Sequence, residues 1–179
     1  MTATQPPAGK SPLRQERVIA VLVLVAILAA LLFWWSLKAE VAGPAQPISF
    51  SHRFHVSTKG LSCFMCHPGA ANSPRAGVPP METCMLCHTR IITEHPEIVK
   101  LRGHYDRRDP VQWVRVNDVP DFVYFDHSIH LHRGIDCGRC HGDVAQMDRV
   151  SMAFDLKMGF CVQCHRDNGV THDCLACHR

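Results

Sequence analysis

Hydrophobic and polar positions divide the chain sharply. From Val18 to Leu37 it reads VIAVLVLVAILAALLFWWSL, 20 residues without a charge. As a helix rising about 1.5 Å per residue, that run reaches about 30 Å, one hydrocarbon layer of a bilayer. Arg14 and Arg17 precede it and Lys38 follows it. Trp34 and Trp35 stand near its end, where an interfacial aromatic belt is expected. A cleaved secretory signal has a shorter apolar stretch that ends in small residues. Here the run ends in Phe33-Trp34-Trp35, and Pro44 spoils the nearest small-residue site. The pattern predicts a retained transmembrane helix over 18–37, after a tail over 1–17 and before an extended linker over 38–49. Residues 50–179 form the remaining domain. Within it, the β-prone runs 111–116 and 122–125 flank the turn-like Asn117–Pro120, which reads as a short β-hairpin or paired extended segments near 111–125. Met81–His88 and Phe160–His165 lack internal Gly and Pro and predict short helices in otherwise irregular chain.

Composition changes this picture. The chain has 179 residues, enough for one domain, but holds 10 Cys and 13 His. A net charge of +3, with no long Lys/Arg cluster, gives no footprint for nucleic acid. Every Cys belongs to a C-x-x-C pair: Cys63/Cys66, Cys84/Cys87, Cys137/Cys140, Cys161/Cys164 and Cys174/Cys177. Each pair runs directly into a His: His67, His88, His141, His165 and His178. C-x-x-C-H is the c-type haem attachment signature, in which both thiols form thioethers and the adjacent His ligates iron. Structural zinc also uses paired C-x-x-C, but has no need of a His after each second Cys. No Cys remains for a disulfide, a catalytic thiol or an iron–sulfur cluster. The sequence therefore predicts five c-type haems.

Some 142 residues follow the apolar run, roughly 28 per haem, so the porphyrins must supply most of the core. The expected fold is one transmembrane helix plus a small, mainly α and irregular multihaem cytochrome domain. Charge asymmetry orients the helix weakly. Covalent haem attachment takes place on the outer, oxidising side of bacterial membranes, which makes residues 1–17 cytoplasmic and 38–179 periplasmic.

Eight His lie outside the motifs: His52, His55, His95, His104, His127, His130, His132 and His172. Four of them repeat a pattern. Phe50-Ser51-His52-Arg53-Phe54-His55 precedes Cys63, and Phe125-Asp126-His127-Ser128-Ile129-His130 precedes Cys137. Both read F-x-H-x-x-H. His at i and i+3 share a helical face yet point along different vectors, so they can serve two haems. His52, His55, His127 and His130 are thus the expected distal ligands. For the fifth haem, Met147, Met158 and His95 compete with His104, His132 and His172, and an open five-coordinate iron remains an alternative. A Met ligand would raise that haem's potential.

The F-x-H-x-x-H pattern resembles the small multihaem cytochromes of the class III type. That resemblance implies that His52 ligates the haem on Cys63/Cys66 and His127 the haem on Cys137/Cys140, with His55 and His130 crossing to other haems. Further stretches carry a second resemblance: Trp113–Val116, Pro120–His127 with His130, Cys137–His141 followed by Gly142-Asp143-Val144, Met147 and Arg149-Val150, and Met158–Cys161 running on to Cys164-His165-Arg166. With the single anchor, these look like the membrane-anchored pentahaem cytochrome subunit of alternative complex III, over about residues 45–179. The resemblance implies a non-catalytic electron-transfer subunit in the bacterial cytoplasmic membrane. Its partners would be integral quinol-binding subunits, an iron–sulfur subunit and a monohaem cytochrome. A soluble cytochrome, a blue-copper protein or a terminal oxidase would accept the electrons. The alternatives are a stand-alone membrane-anchored multihaem quinol dehydrogenase and a multihaem reductase with an open catalytic haem. No altered motif such as C-x-x-C-K marks the latter.

Overall fold

The computed structural model describes residues 12–41 and 43–178, in two units, Met1–Ala42 and Gly43–Arg179. Residues 1–11, most of the expected cytoplasmic tail, lie outside the described residues.

The first unit is one helix, α1 (Pro12–Val41), opened by a proline whose missing N–H is no loss at a helix start. Its segment Gln15–Ser36 has a mean hydropathy of 2.9 and none of it is buried, so it is long and apolar enough to cross a membrane. The Ser36 hydroxyl donates to the Phe33 carbonyl at 2.7 Å, which satisfies it within the helix. α1 outlasts the apolar run at both ends, and the start of the expected linker is helical as far as Val41.

In the second unit, the rest of that linker is pinned down. The Gln46 amide donates to the Val114 carbonyl and accepts from the Val114 N–H, both at 2.9 Å. Ser49 N–H donates to the Glu97 carboxylate at 2.7 Å. Ile48, only 5% exposed, joins a small core of Met85, Ile98, Leu101 and Val111, with Met81, Cys84, Tyr105 and Trp113 packed on it. α4 (Met81–His88) and α5 (Pro96–Arg107) supply most of this cluster. α5 begins with Pro96 and Glu97, suited to a helix N-terminus, and ends at Arg108 in the left-handed region (φ 54°).

The expected hairpin does not form: among the described residues there is no strand. Each β-prone run finds a different partner. Val111 enters the core and Val114 is taken by the Gln46 side chain. Tyr124 N–H donates to the Cys177 carbonyl at 2.7 Å, and Val123 pairs with His178 in an isolated antiparallel bridge.

Short helices carry the motifs: α2 (Cys63–Cys66), α4, α7 (Gly138–His141), α8 (Met158–Asp167) and α9 (Cys174–Cys177). α3 (Gly69–Asn72) follows the first motif and α6 (His127–His132) precedes the third. Apart from Ala70, the buried apolar residues described are the five of the core cluster. Leu86, Leu175, Phe122 and Phe64, beside the motifs, stay exposed. Exposed large apolar side chains at several of the motifs, with so little protein core, fit a domain completed by flat apolar cofactors.

Candidate haem sites

The two F-x-H-x-x-H segments build the same local device from different helices. Phe50 stacks on His55 (centroids 4.3 Å, planes 21° apart) and meets His52 edge-on at 4.9 Å. Phe125 lies against His130 at 4.7 Å and 32°, and meets His127 edge-on at 4.7 Å. Each second His donates from Nδ1 to the carbonyl four residues back: His55 to Ser51 at 2.8 Å and His130 to Asp126 at 2.7 Å. In the second segment Asp126 caps α6, accepting from Ser128 N at 2.8 Å and Ile129 N at 3.4 Å. The first segment is a π-helical turn, Arg53–Thr58, closed by Lys59 N–H to the Phe54 carbonyl. It has one residue more between the second His and the following Gly than the other repeat: His55 to Gly60 against His130 to Gly134. A π turn absorbs such an insertion without moving the His off their face.

Backbone carbonyls fix the tautomers. His67 Nδ1 bonds Gly77 O at 2.7 Å, His88 Ile91 O at 3.3 Å, His127 Pro74 O at 2.7 Å and His165 Thr171 O at 2.5 Å. With Nδ1 donating, the lone pair sits on Nε2, as a metal-ligating imidazole requires. His52 differs: its Nδ1 is buried with no hydrogen-bond partner. Burial, then His67 and then His55, lowers its pKa to about 4. The ring is neutral and keeps a lone pair that no protein group uses. His141 is lowered too, by burial first, then by His127 and His67.

Three ring pairs face each other across matching gaps. His55–His88 lie 6.2 Å apart with planes at 71°, His127–His141 at 6.4 Å and 9°, and His130–His165 at 6.1 Å and 42°. Two imidazoles on opposite faces of one iron, each bonded at about 2.0 Å, have centroids about 6.2 Å apart. The observed separations meet that requirement, so the residues fit haem iron. No group of three or more His, Cys, Asp or Glu converges as a metal site among the described residues, unlike a closed zinc site.

The fifth-ligand candidates separate. His95 accepts at Nδ1 from Glu97 N–H (3.3 Å), as the N-cap of α5, which leaves the proton on Nε2 and unfits that nitrogen as a ligand. Met158 opens α8 and is 64% exposed. Met147 is half-buried near Gly142, and its carbonyl accepts from Arg53 N–H at 3.1 Å. His104, His132 and His172 all pair Nδ1 with a carbonyl, of Asp109, Ser128 and Val170. Facing His178 at 5.9 Å and 28° is Phe122.

Sequence reasoning missed the carbonyls of Pro74, Gly77 and Thr171, since any residue type has one. The orienting carbonyls of Ser51 and Asp126 were within reach, because four residues back is fixed by helical spacing.

Residues 123–179 match the family described as cytochrome c7 and related cytochrome c. Over 87% of this chain and 88% of the relative, the sequence is 29% identical to the menaquinone reductase, multihaem cytochrome c subunit, of Nitratidesulfovibrio vulgaris. The second unit is mainly helical and irregular, and its residues 123–179 are similar to the multihaem cytochromes of the c7 type.

Proposed function

We propose that the chain carries electrons through five c-type haems between a quinone-reacting complex of the cytoplasmic membrane and a partner on the periplasmic side, as the pentahaem subunit of an alternative complex III. The Cys pairs hold each haem, and His67, His88, His141, His165 and His178 are the proximal ligands. His52, His55, His127 and His130 are the distal ligands, paired with His67, His88, His141 and His165 in that order. The observation that carries this reading is the set of three ring pairs at 6.1–6.4 Å, in which five of the six rings hold Nδ1 to a backbone carbonyl and so keep the lone pair on Nε2. For the first pair, the support is the buried, neutral His52 beside His67.

Bound haem supplies a one-electron Fe(II)/Fe(III) couple. The chain's own residues do the rest. The four His pairs would hold four of the irons with two imidazoles each, which suits electron transfer rather than substrate binding. The carbonyls of Pro74, Gly77 and Thr171 hold the rings still, which keeps ligand rearrangement between oxidation states small. No nucleophile or acid–base pair is needed.

Quinol oxidation with outward electron flow is the reading supported by the resemblance to alternative complex III. A second reading, electron flow inward to menaquinone, is supported by the name of the N. vulgaris relative. Purifying the chain with its membrane partners tests both. Haem assay should give five per chain. Quinol-dependent reduction of a periplasmic cytochrome supports the first direction, and donor-dependent menaquinone reduction the second. Quinol oxidation by this chain alone would overturn both in favour of a stand-alone dehydrogenase.

A further inference from the structure

The long chain interval after the second motif, the two matched His turns and the clamps between them bear on how the attachment sites are arranged. Each His turn serves two motifs. His52 and His55 sit on one turn, next to His67 of the first motif and across from His88 of the second. His127 and His130 sit on another, across from His141 of the third motif and His165 of the fourth. The chain thus contains two copies of one module, each a His turn followed by two motifs.

The two modules meet through their first motifs. The His turn of the first module is clamped to the segment after the third motif. There Arg53 pairs with Asp148, Ser51 Oγ donates to Asp148 at 2.7 Å, and Ser57 Oγ donates to Ala145 O at 2.6 Å. Reciprocally, the segment after the first motif is clamped to the His turn of the second module. α3 packs on α6, and Pro74 O accepts from both His127 N (3.2 Å) and His127 Nδ1 (2.7 Å). Exchange of equivalent contacts in both directions is the mark of a two-fold arrangement.

The fifth motif closes on the second module, through Tyr124 N–H to Cys177 O at 2.7 Å and the Val123–His178 bridge. With the first and fourth motifs already on either side of the third, the fifth falls beyond the fourth in an unbranched file.

We propose that the five attachment sites form one unbranched file in the order second, first, third, fourth, fifth, with the second and fifth motifs at its ends. The first and third motifs, 74 residues apart at Cys63 and Cys137, are neighbours at the two-fold junction. This rests on the haem reading given above. It makes the second and fifth sites the termini through which electrons enter and leave.

The test is an electron cryomicroscopy structure of the intact membrane complex, read for which iron neighbours which. The expected result is the order second–first–third–fourth–fifth. Irons ligated by the His pairs named above but filed in another order, the order of the sequence included, would overturn the file and leave the ligation standing. Irons ligated by other residues would overturn the ligation itself. A second measurement needs no map. In the complex, Cys63→Ser with Cys66→Ser removes an internal site. The haem on Cys84/Cys87 should then drop out of the fast absorbance change of a flash-reduction experiment. Cys84→Ser with Cys87→Ser removes an end, and the remaining haems should still exchange rapidly. The reverse pattern would overturn the file. If either variant fails to assemble, the iron order in the unmodified complex decides.

Discussion

Replacing His127 or His55 by Ala should remove two different spectroscopic signals. The reason lies in the ring planes. His127 and His141 are nearly parallel, 9° apart, whereas His55 and His88 are crossed at 71°. Parallel axial imidazoles split the iron d orbitals strongly and give a rhombic low-spin ferric spectrum. Crossed planes leave the two highest filled orbitals nearly degenerate and give one large, isolated g value. His130 and His165, at 42°, fall between. The holo-protein should therefore show overlapping low-spin signals of more than one type. His127→Ala should abolish a rhombic component and create one high-spin haem. His55→Ala should abolish the large-g component and leave the rhombic one. The protein cost is small beside this. His127→Ala also deletes the hydrogen bond to Pro74 O, worth about 1 kcal/mol, so the domain should stay folded. The assay is low-temperature electron paramagnetic resonance of the oxidised protein, with a thermal melt as control. Rhombic intensity undiminished in His127→Ala, or loss of the same signal in both variants, would refute the pairing.

Other expectations are simpler to state. His52 has a pKa near 4 against an ordinary 6.5, so its ring stays neutral while an unfolded chain would already be taking up protons. Acidification below 6.5 thus favours unfolding, while the folded ring stays neutral and able to ligate well below pH 6.5. A haem that turns high-spin between pH 7 and 5.5 in an absorbance titration, and is traced to the first motif, would count against it. Asp126→Ala removes the cap of α6 and should cost about 1 kcal/mol in a melt, while broadening the signals of the third and fourth sites together. Gln46→Ala should cost about 1–2 kcal/mol by freeing both backbone groups of Val114. Gly142→Ala should be worse, by about 1–3 kcal/mol, because φ is +69° and a Cβ would come within 2.5 Å of Ala153 Cβ.

What the sequence made legible is the chemistry that requires particular residue types. A charge-free run of membrane length, Cys pairs followed by His, and a twofold F-x-H-x-x-H are each tied to a side chain that no other residue replaces. The hairpin failed for the opposite reason. Residues 111–116 and 122–125 have strand propensity, but propensity does not name a partner, and the partners came from Gln46 and Cys177, distant in sequence. The extra residue before Gly60 was visible as a count, yet its absorption in a π turn depends on keeping both His on one face. Which motif the second His of each pair reaches was not legible either, since it depends on how α4 and α8 fold back.

The uneven spacing of the motifs follows from the two-fold arrangement. Within a module, successive motifs are 21 or 24 residues apart, the length of a short loop and helix. Between Cys84 and Cys137 the chain takes 53 residues. If the second motif is an outer site and the third an inner one, the chain must return from the end of the file to its centre. A segment without cofactors has to bury its own apolar side chains, and residues 89–124 are where the protein core is richest. Ile98, Leu101 and Val111 lie there, with Tyr105 and Trp113 against them. Among the described residues the buried apolar cluster is shared between this interval and the helix of the second motif, Met81–His88, while the short intervals elsewhere bury almost no side chains of their own.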